Sequence, residues 1–265
     1  MISAVARSLV RPAFNLVFVL VAVVVMWWAA LKIGGVNPLI ARTPTQVWHF
    51  LVTSGSAADN RSQVFGPLGH TLIDSLVGFV AGLAAAIVIA VATYLSRGLE
   101  AASLPVLLII RSVPLVALAP VITLIFGNGF ATVAVMSGIV VLFPALVTIS
   151  YGLRWVTPPI RDLITVYGGS TKDVLIRVAF PSAAPSVLAA IRVSVPGAIT
   201  GALIAEFFTT PSSVGRALAE GLALYEYDLV WSLLAVTTIV SIILYMLAQA
   251  GERLVMRAMG LESRA

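Results

Sequence analysis

Cysteine is absent from this sequence. Disulfides and thiolate metal sites are therefore excluded, while the redox compartment stays unread. Histidine occurs only at His49 and His70, which do not form a ligand pair. Charge is also scarce: Asp, Glu, Lys and Arg make up 10% of the chain, against 60% hydrophobic residues and a mean hydropathy of +1.07. A soluble domain cannot hide that much apolar surface, which points to a polytopic membrane protein. The G-x-x-x-x-G-K-[ST] loop is missing, so the chain supplies no phosphate cradle of its own. No hydrolase triad or metal-ligand cluster is visible in the sequence, and the chain reads as non-catalytic.

A bilayer core of about 30 Å needs about 20 apolar residues per crossing helix. Six such spans can be marked: Phe14 to Ile33, Thr71 to Leu95, Leu104 to Phe126, Ala131 to Tyr151, Val187 to Phe208 and Leu229 to Ala250. They leave little chain for a soluble module, so residues 1–265 are expected to form one all-α membrane helix bundle. No inverted internal repeat is visible, which argues against a secondary transporter built on one. Pro114 and Pro120 in the third span, Pro144 in the fourth and Pro196 in the fifth predict kinks or broken turns. Gly78 with Gly82, and Gly197 with Gly201, set small residues four apart and read as helix-packing sites.

The net charge of +5 is a topology signal rather than a nucleic-acid signal. Arg7, Arg11, Arg97, Arg154, Arg161, Lys172, Arg177, Arg253, Arg257 and Arg264 fall on one side of the spans. Only Lys32, Arg42, Arg61 and Arg216 fall on the other. The positive-inside rule then puts both termini and residues 154–186 in the cytoplasm, and the loop 34–70 outside. The apolar run after Arg7 and Arg11 is too long for a typical signal-peptide core and no Ala-x-Ala site follows, so it reads as an uncleaved first helix. Within the outer loop, Thr43 as N-cap and Pro44 at the first position predict a short amphipathic helix. Its Val47, Phe50 and Leu51 would lie on the membrane surface or pack on the bundle.

The most distinctive stretch is DLITVYGGSTKDVLIRVAFP, Asp162 to Pro181. Thr157 followed by Pro158 and Pro159 is a helix start. Ile160, Leu163, Ile164 and Tyr167 then share one face at helical spacing. Gly168-Gly169 stops that helix, because glycine tolerates a positive φ at a C-cap. Ser170, with Asp173 three residues on, starts a second helix through a capping box. Val174, Leu175 and Val178 form its apolar face, and Pro181 and Pro185 interrupt the path into the next span.

This spacing, a carboxylate at Asp162, Gly168 six residues on, then Val178, Phe180 and Pro181, resembles the coupling loop of ABC importer permeases. That loop reads Glu-Ala-Ala, three residues, Gly, nine residues, Ile, one residue, Leu-Pro. The stretches RSVPLVALAPVITLIFGNG, LFPALVTISYGLRWVTPP and AEFFTTPSSVGRALAEG are similar to the subgroup for nitrate, taurine and alkanesulfonates, which also contains vitamin-precursor permeases for thiamine pyrimidine and riboflavin. The resemblance implies a type I ABC importer permease fold in the cell (inner) membrane. It implies two permease chains, often identical, two ATPase subunits that bind ATP and Mg, and an external solute-binding protein. It assigns ATPase coupling to Asp162, Leu163, Ile164, Gly168, Gly169, Lys172, Arg177, Phe180 and Pro181. This sequence departs from the family pattern in two places. Asp162-Leu163-Ile164 stands where the family has Glu-Ala-Ala, and Ser213-Val214-Gly215 where it often has Gly-Leu-Gly.

Charges within spans are costly and mark function by default. Asp74, Arg111, Arg192 and Glu206 are the candidates. Arg111 and Arg192 sit within about two turns of cytoplasmic helix ends and read as snorkelling or paired residues. Asp74 reads as a structural partner of His70. Glu206 could line an outer gate or cap the segment after it. Arg111, Pro114, Pro120 and Glu206 are the candidate residues of a translocation pathway or gate.

Overall fold

The computed structural model of the chain describes residues 2–209 and 211–260, with side chains from Phe18 onward except those of residues 97, 104, 106–108, 110 and 111. Among these residues the fold is entirely helical. In chain order the helices are α1 (Ile2–Ile33), α2 (Pro44–Trp48), α3 (Ala57–Leu95), α4 (Arg97–Ser112), α5 (Leu115–Phe126), α6 (Phe130–Leu153), α7 (Pro158–Val166), α8 (Thr171–Val174), α9 (Phe180–Ser182), α10 (Ala184–Thr209), α11 (Val214–Ala223) and α12 (Tyr227–Ala258). α3, α6, α10 and α12 are each long and apolar enough to cross a bilayer, and α5 and the Phe18–Ile33 part of α1 are shorter apolar helices.

The centre of the bundle is α6 held between α3 and α10, and small residues make this possible. A Cβ on Gly78 would come within 2.4 Å of Ser137 Cβ, and one on Gly82 within 2.4 Å of the Gly138 carbonyl oxygen. A Cβ on Gly201 would lie 2.8 Å from Ser137 Cα. Both Gly-x-x-x-Gly pairs thus serve packing within the chain. Ser137, fully buried, donates its hydroxyl to the Ala198 carbonyl at 2.9 Å and reaches that of Ser75 at 3.3 Å. In lipid no hydrophobic force drives helices together, so close backbone approach and such interhelical bonds carry the association.

Two sequence expectations change. The third span is two helices, because Pro114 lacks an N–H and forces Val113 out of the helical region; Pro114 has φ −58° and ψ 122° at the start of α5. The second span begins at Ala57, well before Thr71, and α3 runs straight through Pro67. Here packing overrides a local breaker. Val64 and Leu68, on either side of the proline, are buried against Val214, Leu229 and Leu233, which holds the helix in register.

The outer-loop helix forms as expected, with Thr43 and Gln46 in a reciprocal capping box. It then widens into a π-turn over His49–Thr53. Val47 is buried, and Phe50 and Leu51 pack against Val64 and Leu68, so this face covers the bundle and not the lipid surface. Arg42 Nε donates to Asp228 Oδ1 at 2.6 Å and ties this segment to the start of α12. Trp27 of α1 stacks on Trp231 of α12 with centroids 5.5 Å apart.

Candidate functional site

The loop between α6 and α10 emerges from one end of the bundle. α6 closes at Arg154, whose guanidinium pairs with Glu100 near the start of α4. Gly152 lets α6 and α10 converge there, since a Cβ would lie 2.4 Å from that of Ser186. Thr157, with φ −65° and ψ 143°, then leads into Pro158, whose fixed φ and missing N–H suit a first helical position.

α7 ends in a Schellman motif. Gly168 N–H donates to the Thr165 carbonyl and Gly169 N–H to the Ile164 carbonyl, both at 2.9 Å. Gly168 has φ +81°, a region that costs a side-chain-bearing residue free energy. Gly169 is constrained differently: a Cβ would sit 2.4 Å from Ile164 Cγ2. Ser170 then caps α8. Its N–H donates to Asp173 Oδ2 at 2.8 Å, and Asp173 N–H donates back to Ser170 Oγ at 3.4 Å. Hydrogen bonds from the Ser170 side chain and backbone hold the Asp173 carboxyl below its ordinary value, with Arg177 adding to the effect. Leu175–Ala179 forms a second π-turn. Pro181 supplies the reason: it has no N–H, and its ring would press on the Arg177 carbonyl in a regular α-turn.

The two arms of this loop are buried unequally. Val174, Leu175, Ala179 and Ala183 sink into a cluster with Ala90, Leu146, Ile149 and Leu153, which fixes the second arm on the ends of α3 and α6. On the first arm only Ile164 packs against that cluster. Leu163 is 57% exposed, Val166 83% and Tyr167 85%. Asp162, Lys172, Arg177, Phe180 and Pro181 are also exposed. The two bulky residues of Asp162-Leu163-Ile164 therefore divide: Ile164 turns inward against Gly169, and Leu163 turns outward. The loop thus presents an apolar, carboxylate-bearing helix on a glycine turn, anchored from behind by its second arm.

The pathway candidates lie at the end of α4, on or beside α5, and on α10. The side chain of Arg111 lies outside the described residues. Pro114 and Pro120 are exposed on α5. Glu206 is fully buried between α3, α10 and α11. Its Oε2 accepts from Thr71 Oγ1 at 2.8 Å and from Gly215 N–H at 3.1 Å, so the carboxylate caps the start of α11. Gly215, the one glycine kept from the family's Gly-Leu-Gly, is required there because a Cβ would lie 2.6 Å from that of Glu206. Ser213 acts as the N-cap, its Oγ accepting from Arg216 N–H at 3.4 Å.

Arg192 is paired across helices. Its Nε lies 2.7 Å from Glu252 Oε2, and Nη1 donates to Tyr245 Oη at 3.1 Å. Asp74 is half-buried one turn from His70 on α3. Thr148 and Thr200 donate to the Pro144 and Pro196 carbonyls one turn earlier, as hydroxyls in membrane helices commonly do. Sequence reasoning missed Thr71, Ser137 and the Glu100–Arg154 pair. A single Thr or Ser in an apolar span carries no signal of its own, and Glu100 and Arg154 are too far apart in sequence to be matched.

Residues 78–260 match the family described as binding-protein-dependent transport system inner membrane component. The chain is 28% identical over 220 residues to a probable ABC transporter permease protein of Haemophilus influenzae, covering 83% of this chain and 87% of the relative. It is 28% identical over 258 residues to the riboflavin transport system permease protein RibX of Chloroflexus aurantiacus, covering 95% and 93%. It is 24% identical over 201 residues to the putative aliphatic sulfonates transport permease protein SsuC of Bacillus subtilis, covering 75% and 70%.

Proposed function

Because the chain belongs to the binding-protein-dependent transport system inner membrane component family, we propose that its 162–181 loop couples a solute pathway to a separate ATPase. The observation that carries this reading is the exposed apolar face of α7. Leu163, Val166 and Tyr167 project from the end of the bundle on a helix whose second arm is firmly anchored. Large exposed apolar side chains outside the spans favour burial by a partner. The partner ATPases bind and hydrolyse ATP with Mg, and this chain transmits the resulting motion. The pathway lies between two permease copies, and a solute-binding protein delivers from outside. Both termini and residues 154–186 are cytoplasmic.

The solute is read as a small organic or inorganic anion such as a sulfonate, taurine or nitrate. The likeness to a riboflavin permease over 95% of the chain favours a second reading, a vitamin or vitamin precursor. The coupling reading is tested with Leu163→Asp, which changes the exposed face and leaves Ile164 packed. The variant should insert in normal amounts yet fail to co-purify the ATPase; normal co-purification would refute docking through α7. Uptake of a labelled sulfonate against labelled riboflavin separates the two solute readings.

A further inference from the structure

Between α7 and the ends of α3 and α6 lies an open pocket of about 440 Å³. It is walled by the ends of α3 and α6, the start of α4, and the α7–α8 hairpin. Tyr94, Glu100, Arg154, Arg161, Thr165 and Thr171 line it. Its volume falls in the range of small-ligand sites, about 300–1,000 Å³. Its charge is unbalanced. Glu100 is paired with Arg154, and Arg161, exposed at the rim of the pocket, has no carboxylate partner among the described residues. One guanidinium is thus left over, and arginine stays protonated at any physiological pH. The Tyr94 hydroxyl is buried with no hydrogen-bond partner. A buried hydroxyl without a partner costs free energy, so a ligand atom that could accept from it is favoured there. Thr165 Oγ1 already donates to the Arg161 carbonyl at 3.0 Å, so its one O–H is committed and Tyr94, Arg161 and Thr171 remain as donors.

We propose that this cavity is a binding site for an oxyanion of the phosphate or sulfate class, held by Arg161 and the Tyr94 hydroxyl and bordered by Arg154. Guanidinium groups bind such tetrahedral anions with paired, charge-assisted hydrogen bonds. The consequence for the loop follows from where those groups sit. Arg161 is on α7, Tyr94 is at the end of α3 and Arg154 closes α6. A bound anion therefore bridges the weakly packed α7 to the rigid centre of the bundle. It sets the angle at which α7 leaves the membrane, and so tunes the coupling proposed above, on which this regulatory consequence rests. The anion can be free in solution or belong to a lipid headgroup, because the cavity lies at the ends of the membrane-spanning α3 and α6.

Binding is measured on the isolated full-length permease, without ATPase, so its outcome is independent of whether α7 couples. Inorganic phosphate is titrated at constant ionic strength with chloride as the replaced anion, and binding is followed by calorimetry. In a second arm the permease is placed in nanodiscs of phosphatidylcholine with or without phosphatidylglycerol, and retained lipid is counted by native mass spectrometry. Arg161→Gln is compared with wild type, and Arg253→Gln serves as a charge-matched control outside the cavity. Saturable phosphate binding that weakens about tenfold in Arg161→Gln alone identifies a free-anion site. Retention of phosphatidylglycerol lost in Arg161→Gln alone identifies the headgroup. Wild type and Arg161→Gln behaving alike in both arms overturns the site. Failure of ATPase co-purification with Leu163→Asp concerns only the coupling reading.

Discussion

Replacing Gly168 isolates the backbone of the α7–α8 turn from every side-chain contact. Its φ is +81°, and a Cβ built there meets nothing within 4 Å. Any effect of substitution is therefore conformational and not steric. For an L-residue the left-handed region costs about 1–2 kcal/mol, with a β-branched side chain at the upper end and Asn near the lower. If the turn relaxes to avoid that cost, it loses the Gly168 and Gly169 N–H bonds that close α7, each worth about 0.5–1.5 kcal/mol. Either way Gly168→Val disfavours the observed turn by about 1–3 kcal/mol, a drop of roughly five- to 150-fold in its population relative to alternatives. The second arm is untouched, since Val174, Leu175 and Ala179 keep their burial in the α3–α6 cluster. The expected result is a variant that inserts in normal amounts but loses ATPase co-purification and uptake together. The series should rank Gly168, Asn, Ala, Val. Equal function of the valine and glycine forms would refute the reasoning, and so would an asparagine form as defective as the valine form.

Four further outcomes follow from particular contacts. Glu206→Ala should destabilise the detergent-solubilised protein by about 2–5 kcal/mol, because it strands the Thr71 hydroxyl and the Gly215 N–H, whereas Glu206→Gln should recover much of the loss; thermal unfolding read by tryptophan fluorescence checks both. Gly82→Val should separate α3 from α6 and cost about 1–3 kcal/mol or prevent folding, seen as a loss of monodisperse protein on size exclusion. The Asp173 carboxyl is lowered in the folded loop, so its contribution to the α8 cap is complete above the unfolded value of 3.8 and fades as pH falls through the lower folded value. Hydrogen exchange in residues 170–174, compared with Asp173→Asn, should then show a protection difference near pH 6 that vanishes in acid. Finally, the absence of native cysteine makes single-cysteine labelling clean: Ser170→Cys should resist an impermeant reagent applied to intact cells and react in inverted vesicles, and the opposite pattern would reverse the proposed topology.

What the sequence determined by itself is what depends on short-range chemistry and on composition. The apolar runs dictated a helical membrane bundle, because a backbone in lipid must satisfy its hydrogen bonds within each span. The two-arm loop was legible residue by residue. Pro158, the Gly168-Gly169 stop and the Ser170–Asp173 box each act within one turn of chain, and all three appear where expected. The division of the third span was half-legible, since Pro114 announced a break without saying that α5 would start afresh. Tertiary structure decided the rest, because it depends on residues far apart in sequence. Pro67 stays inside α3 only because Val64 and Leu68 are buried by α11 and α12. The same physics fixed which side of the loop faces outward. Periodicity placed Ile160, Leu163, Ile164 and Tyr167 on one stripe, but only packing against Gly169 and the α3–α6 ends turned Ile164 inward and left Leu163 and Tyr167 exposed. Glu206 shows the limit most plainly. Its partner Thr71 is 135 residues away, and no local pattern marks a carboxylate that will cap a helix on the far side of the bundle.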